Sequence, residues 1–188
     1  MISREEKELK IGQKGKVIWL TGLSGAGKTT LGILLENELF EMGYMTKVLD
    51  GDTIRKELNY NLGYSLKDRE ENNRRVAEIS KMFVSCGIIT ICCFISPTEQ
   101  IRNSAKSIIG EDDFIEVYIN SSLEVCKQRD VKGLYTKAIN GEIKYFTGIS
   151  SDFDIPLAPD IEIRTDILSE DESLNKLLNF ILTKVSLK

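Results

Sequence analysis

"GLSGAGKTT", residues 22–30, follows the apolar run "VIWLT", residues 17–21, and leads into "LGILLENELF", residues 31–40. Gly22, Gly27, Lys28 and Thr29 fit the spacing G-x-x-x-x-G-K-[ST], with a further glycine at Gly25. The flanks predict a strand before the loop and a helix after it, the context in which this spacing carries chemistry. Glycines let successive backbone N–H groups turn inward onto phosphate oxygens, and the helix N-terminus adds the positive end of its dipole. Lys28 is expected to reach the β- and γ-phosphates of a nucleoside triphosphate, and the Thr29 hydroxyl to ligate Mg²⁺. The loop identifies a phosphoryl donor and leaves the acceptor to the rest of the chain.

Outward from the loop, "MTKVLD", "IITICCFIS", "FIEVYIN" and "DIEIRT" read as further strands. Between them, "SLKDREENNRRVAEISKMFVSCG", "PTEQIRNSAKSIIG" and "SSLEVCKQRD" have helical character. Strands alternating with helices predict an α/β fold, three layers α/β/α around a mainly parallel five-stranded sheet. Residues 1–14 are charged and lack an apolar face, so an arm or short leading helix is expected ahead of a single domain over 15–188. The segment over about 131–159 has no sustained period and is expected to be a lid.

The 188 residues are 41% hydrophobic and 29% charged, which suits one domain with a continuous core. Net charge is -4, from 25 basic and 29 acidic residues, which argues against a nucleic-acid partner but leaves room for small anionic ligands. No stretch approaches the roughly 18 apolar residues of a membrane span, and the first residues are too polar for a secretory signal. A cytoplasmic protein with no membrane partner is the expectation. The chain contains no histidine, so a general base must come from a carboxylate, lysine, cysteine or tyrosine. The four cysteines show no CxxC spacing and are expected to be buried thiols, with Cys92 and Cys93 on opposite faces of a strand.

The three classes that use such a loop separate on the flanking residues. No N-K-x-D signature for guanine occurs, and the apolar run "IITICCF" ends on Ser96 and Pro97 rather than on an acid. The carboxylates at a strand end are Asp50 and Asp52, in "LDGDTIRKEL". Asp50 is expected to end the strand and Asp52 to cap a helix starting at Thr53, or else to accept a proton from an attacking hydroxyl or hold the water shell of Mg²⁺. Arg55 would then face an anionic acceptor. In the long helix that follows, Arg69, Asn72, Val76, Ile79 and Phe83 recur at helical spacing, so its inward stripe is expected to begin polar, at a ligand pocket. Arg74 and Arg75 are expected on a solvated face. Arg129, Lys132, Lys137 and Lys144 form a basic cluster that lid closure would bring onto the transferring phosphoryl group.

These stretches, together with "LGYSLKDREENNRRVAEISKMF", "FISP" and "RDVKGLYTKAINGEIKYFTGI", resemble the adenylylsulfate kinases (APS kinases) in order and spacing, from about Lys14 to Thr165. The resemblance implies a P-loop NTPase kinase fold, commonly homodimeric, in which ATP phosphorylates the ribose 3′-hydroxyl of adenosine 5′-phosphosulfate to give PAPS. It implies that Gly22, Ser24, Gly25, Ala26, Gly27, Lys28, Thr29, Thr30 and Arg129 hold ATP. It implies acceptor contacts from Asp52, Arg55, Tyr64, Arg69, Asn72, Ile95, Ser96, Lys132 and Phe146, with Tyr64 and Phe146 stacking the base between them. Lys28, Asp50, Asp52 and Ser96 are the expected catalytic residues, with Asp50 and Thr29 also the expected Mg²⁺ ligands, and Ser96 matches a serine described in the family as a phosphoserine intermediate. Tyr64 stands where the family usually has phenylalanine, and Tyr145 where it has glycine. Another modified nucleotide, such as cytidine diphosphoramidate, is the alternative acceptor, and a non-catalytic nucleotide-binding regulator the alternative class.

Overall fold

Runs of β-branched and apolar residues form five strands: β1 (Val17–Thr21), β2 (Thr46–Asp50), β3 (Ile89–Cys93), β4 (Phe114–Asn120) and β5 (Ile161–Arg164). In the computed structural model, which describes residues 2–187, they pair in the order β2-β3-β1-β4-β5, every pair parallel. Met1 and Lys188, the outer residues of the expected arm and domain, lie outside the described residues. Strands buried on both faces read as continuous apolar runs, and every residue of β1 is buried for that reason.

Alternation along β1 feeds two cores. Ile18 and Leu20 face Leu35 of α2 (Lys28–Glu41) and Ile181 of α8 (Glu170–Val185). Val17 and Trp19 face Val76 of α4 (Leu66–Val84) and Ala105 of α5 (Glu99–Ile109). Cys92 and Cys93 diverge as expected, Cys92 into the second core and Cys93 into the first. Burial pushes the Cys92 thiol up to about 12, so it stays protonated. Cys86 is exposed, contrary to the expectation of four buried thiols, because it lies in the turn after α4.

The leading segment forms α1 (Arg4–Ile11) behind a Ser3/Glu6 capping box, with no buried residue of its own. It is tied down by charge, Arg4 pairing with Asp113 at 2.5 Å and with Glu8 at 2.8 Å. Gln13 is fully buried and its amide donates to the carbonyls of Met45 and Gly87. At the other end, α8 was not anticipated, although Ser169 and Glu172 form a capping box ahead of a clear apolar stripe.

Three local expectations are corrected. The short helix α3 (Gly51–Lys56) begins two residues earlier than Thr53, and its cap is Asp50, whose carboxylate accepts from the Asp52 N–H at 3.1 Å. Asp52 is thereby freed from capping. The buried face of α4 is centred on Arg69, Asn72, Asn73, Val76, Ala77, Ser80 and Val84, leaving Ile79 and Phe83 half-buried at its margin. The lid carries the helix α7 (Leu134–Ile139), whose Tyr135 and Ala138 are buried against the first core. No helix among the described residues is long and apolar enough to cross a membrane.

Candidate active site

Sheet topology gathers the site. The chain leaves β1 for β2 on one side and later reaches β4 on the other, so the carboxyl ends of the strands open onto a crevice at the switch point. A cavity of about 1340 Å³ lies there, bounded by the loop after β1, the ends of β2 and β3, the start of α4 and the lid. Pockets for one small ligand reach about 1000 Å³, so this one has room for two nucleotides.

On the donor side, Gly25 and Gly27 take φ of 73° and 101°, left-handed values that any side chain would resist. Gly22, at φ 151°, is also sterically required, because a Cβ there would press into the Ile119 carbonyl oxygen. Lys28 is 8% exposed, and its ammonium donates to the carbonyls of Gly22 and Leu23 at 2.9 and 2.7 Å. Burial lowers its pKa to about 8, partly countered by Cys93, Cys126 and Asp50. Thr29 Oγ1 donates to Asp50 Oδ1 at 2.7 Å, so the two expected Mg²⁺ ligands meet as adjacent hard oxygen donors.

Behind the loop stand residues that the sequence reading only partly found. Arg129, at the end of α6 (Leu123–Arg129), donates to Gly25 O at 3.3 Å and to Thr165 O at 2.6 Å. Thr165 Oγ1 donates to Ala26 O at 2.7 Å, and Tyr135 of α7 donates to Ser24 O at 2.9 Å. Thr165 was missed; its signal is a hydroxyl just after the carboxyl end of a parallel strand. The Asp130 carboxylate accepts from the N–H groups of Tyr135 and Thr136, which starts α7 where Tyr135 can reach the loop.

Across the cavity, Arg55 and Arg69 flank the Tyr64 ring, their guanidinium carbons 4.7 and 5.7 Å from its centroid. Arg55 donates to Gly63 O at 2.6 Å, and Arg69 to Tyr64 O and Tyr145 O at 3.0 and 3.2 Å. Burial, then the neighbouring Arg55, lowers the Arg69 pKa to about 10. Among the described residues neither arginine has a carboxylate within ion-pair distance. Two partly desolvated cations without an anion make a binding position for one. Asn72, beside them, accepts from the buried Asn59 amide at 3.0 Å.

Lys132 of the lid forms an ion pair with Asp52 across the mouth, which raises the lysine's pKa through that hydrogen bond. Lys144 also lines the cavity, whereas Lys137 points from α7 into solvent and does not join the cluster. Arg74 is exposed and pairs with Glu71, and Arg75 shares that carboxylate while also donating to Asn61. Phe146 lines the cavity, but its ring is 7% exposed and stands edge-on to Tyr135 at 4.9 Å, while Tyr64 is 55% exposed under Arg55. Tyr145 holds φ 58°, a glycine conformation, and presents its carbonyl to Arg69.

Ile95 and Ser96 line the cavity after β3. The Ser96 hydroxyl is not placed as a free nucleophile: it accepts from Trp19 Nε1 at 2.9 Å and donates to Asn73 Oδ1 at 2.6 Å, both buried contacts. Its proton is committed to Asn73. Sequence reasoning had no access to this, since the partners lie 77 and 23 residues away.

The sequence pattern of the family described as adenylylsulphate kinase matches residues 14–164. The adenylyl-sulfate kinase of Bacteroides thetaiotaomicron is 53% identical over 188 residues, all of this chain and 94% of that protein. That of Clostridium kluyveri is 48% identical over 185 residues, 98% of this chain and 92% of the other. Among solved structures, the Mycobacterium tuberculosis APS kinase in complex with AMPPNP and APS superposes with a TM-score of 0.86 at 40% identity, covering 89% of this chain and 98% of that one.

Proposed function

The chain belongs to the adenylylsulphate kinase family, and from that premise we propose that it transfers the γ-phosphoryl group of ATP to the ribose 3′-hydroxyl of adenosine 5′-phosphosulfate, giving PAPS and ADP. The observation that carries the acceptor assignment is the pair Arg55 and Arg69, cationic, partly buried and, among the described residues, without a carboxylate within ion-pair distance. It suits the phosphosulfate anion, while Tyr64 and Phe146 offer aromatic surface to the adenine.

In this reading the 3′-oxygen forms a bond to the γ-phosphorus as the bond from that phosphorus to the β,γ-bridging oxygen breaks. Asp52 accepts the hydroxyl's proton, and ADP departs with the electron pair. Lys28 and Lys132 meet the charge that spreads over the phosphoryl oxygens, which is the main work a protein does in such a transfer. Lys132 reaches it by exchanging Asp52 for phosphate as the lid seats. The neighbouring oxygens of Thr29 and Asp50 would hold Mg²⁺, which when bound neutralises charge on the β- and γ-phosphates. A cytoplasmic homodimer completes the proposal.

ADP release from the purified protein with Mg²⁺ and ATP tests the function, with adenosine 5′-phosphosulfate and cytidine diphosphoramidate compared at low acceptor concentration. Turnover confined to the phosphosulfate is expected; turnover confined to the cytidine compound overturns the substrate. Arg69→Ala is expected to raise the acceptor KM by about tenfold or more, the scale of a lost charge-assisted contact, with the ATP KM little changed. Equal rises for both substrates would contradict the assignment of that pocket.

The depressed Lys28 pKa has its own consequence. With no phosphate present the amine is largely neutral above pH 8, whereas ATP phosphates favour its charged form. ATP binding at pH 8.5 should therefore take up roughly three-quarters of a proton, and affinity should fall as pH rises through 8. Titration calorimetry in buffers of different ionisation enthalpy measures the uptake, and none in the wild type would show that the amine is already charged. Unfolded, the same amine titrates near 10.5, so the unfolded chain binds more protons between pH 8 and 10.5. This residue's contribution to stability accordingly grows as pH rises across that window.

A further inference from the structure

Arg102, on α5, is 2% exposed and lies outside every motif that the reaction uses. Its guanidinium joins three separate pieces of chain. Nη1 donates to Ser96 O at 3.1 Å, Nε pairs with Glu116 of β4 at 2.9 Å, and the carbon of the fork sits 5.9 Å from the Phe153 ring centroid. Among the described residues neither Nη2 nor Glu116 Oε1 has an aligned hydrogen-bond partner, so the contact with Glu116 is one of charge.

The contact with Ser96 bears on the acceptor wall, because Ser96 lines the cavity. Ser96 holds φ 46°, a left-handed conformation disfavoured for a residue with a Cβ, and so needs its neighbours to hold it there. Its hydroxyl is fixed by Trp19 and Asn73, Asn73 in turn donates to the Arg69 carbonyl at 2.7 Å, and Arg102 holds the Ser96 carbonyl. The acceptor loop and the α4 turn that carries Arg69 therefore share one buried network. Phe153 belongs to the far end of the lid, where its ring stacks on Tyr118 at 6.1 Å. The next residue, Asp154, donates its N–H to Pro97 O at 2.8 Å and accepts from the Glu99 N–H at 3.1 Å.

A buried ion pair is a poor choice for stability alone, because apolar residues of similar size often serve a core equally well. Its value here is geometric: a planar fork can fix a carbonyl at a set angle and lie against a ring while its charge meets a carboxylate, which an ammonium cannot do at once. We propose that Arg102 is a positioning residue of the acceptor site, locking the left-handed Ser96 and joining the acceptor loop to the fixed end of the lid through Phe153. It touches neither substrate and acts through Ser96, Asn73 and Arg69. The proposal rests on the acceptor assignment made above.

The test is steady-state kinetics of Arg102→Lys and of the double variant Arg102→Met with Glu116→Gln, which leaves no unpaired buried charge. Thermal unfolding of each variant is measured with and without AMPPNP and with and without adenosine 5′-phosphosulfate. Both variants are expected to fold and to keep the ATP KM within about twofold. The acceptor KM is expected to rise about tenfold in the double variant, because displacing a substrate-positioning loop by a fraction of an ångström is felt at the reacting atoms. Arg102→Lys restores the ion pair but not the fork, so its acceptor KM stays raised although its thermal midpoint recovers. Protection by the phosphosulfate is weakened in both variants, and protection by AMPPNP persists.

A folded variant with the wild-type acceptor KM overturns the proposal, as does a lowered thermal midpoint with both KM values unchanged. Equal rises in both KM values overturn it too. If wild-type protein fails to turn over the phosphosulfate, the acceptor assignment itself falls, a result separable from any of these.

Discussion

Lys28→Ala is expected to lower kcat by roughly 10²-fold or more, the scale on which removing one preorganised cation or donor from a developing charge is felt. The effect is expected to be large because Lys28 is 8% exposed and already aimed inward, held by two loop carbonyls. Methyl replacement leaves those carbonyls without their donor and the phosphoryl oxygens without their nearest fixed charge. ATP binding weakens less than turnover, since the glycine N–H groups and the helix N-terminus still hold the β-phosphate. Single-turnover kinetics at saturating ATP separates the two losses. A kcat within threefold of wild type would remove Lys28 from the transition state.

Asp52→Asn is expected to cost a similar factor, roughly 10² or more, with both KM values little altered. The amide keeps the shape and can still hydrogen-bond, but it accepts no proton. It also releases Lys132, whose partner in this structure is the Asp52 carboxylate. A structural role predicts the opposite pattern: kcat intact and a lowered thermal midpoint. Because Asp50, rather than Asp52, caps α3, Asp52→Asn leaves the helix start untouched, and a change in kcat can be read as chemistry.

Phosphoryl transfer was legible at Gly22–Thr30 because phosphate binding is done by consecutive residues: the loop, its lysine and its threonine are local in the chain. The sheet was legible for a related reason, since strands covered on both faces are mostly apolar, as β1 and β3 are, each buried throughout with a single threonine. Helix α8 was equally visible in its capping box and stripe and went unread. The inward stripe of α4 was recognised as starting polar at Arg69 and Asn72, though its centre lies nearer Asn73, Ala77 and Ser80. The cap of α3 was misplaced by two residues, because either Asp50 or Asp52 satisfies the same composition rule and only the backbone at the strand end decides between them.

The sequence by itself determined the fold class, the donor loop, the absence of histidine chemistry and the cationic residues from which an acceptor pocket is built. Tertiary structure decided which of those cations remain free. Among the described residues Arg55 and Arg69 have no carboxylate within ion-pair distance, whereas Lys132 pairs with Asp52 across 80 residues and Arg102 of α5 with Glu116 of β4. It also decided that the Ser96 hydroxyl is committed to Trp19 and Asn73, and that Thr165 and Tyr135 brace the phosphate loop. The physical reason is the range of the forces: backbone turns and apolar periodicity act between near neighbours in the chain. The partner of a charge or a hydroxyl depends on which distant strand or helix the packed sheet brings within about 3 Å.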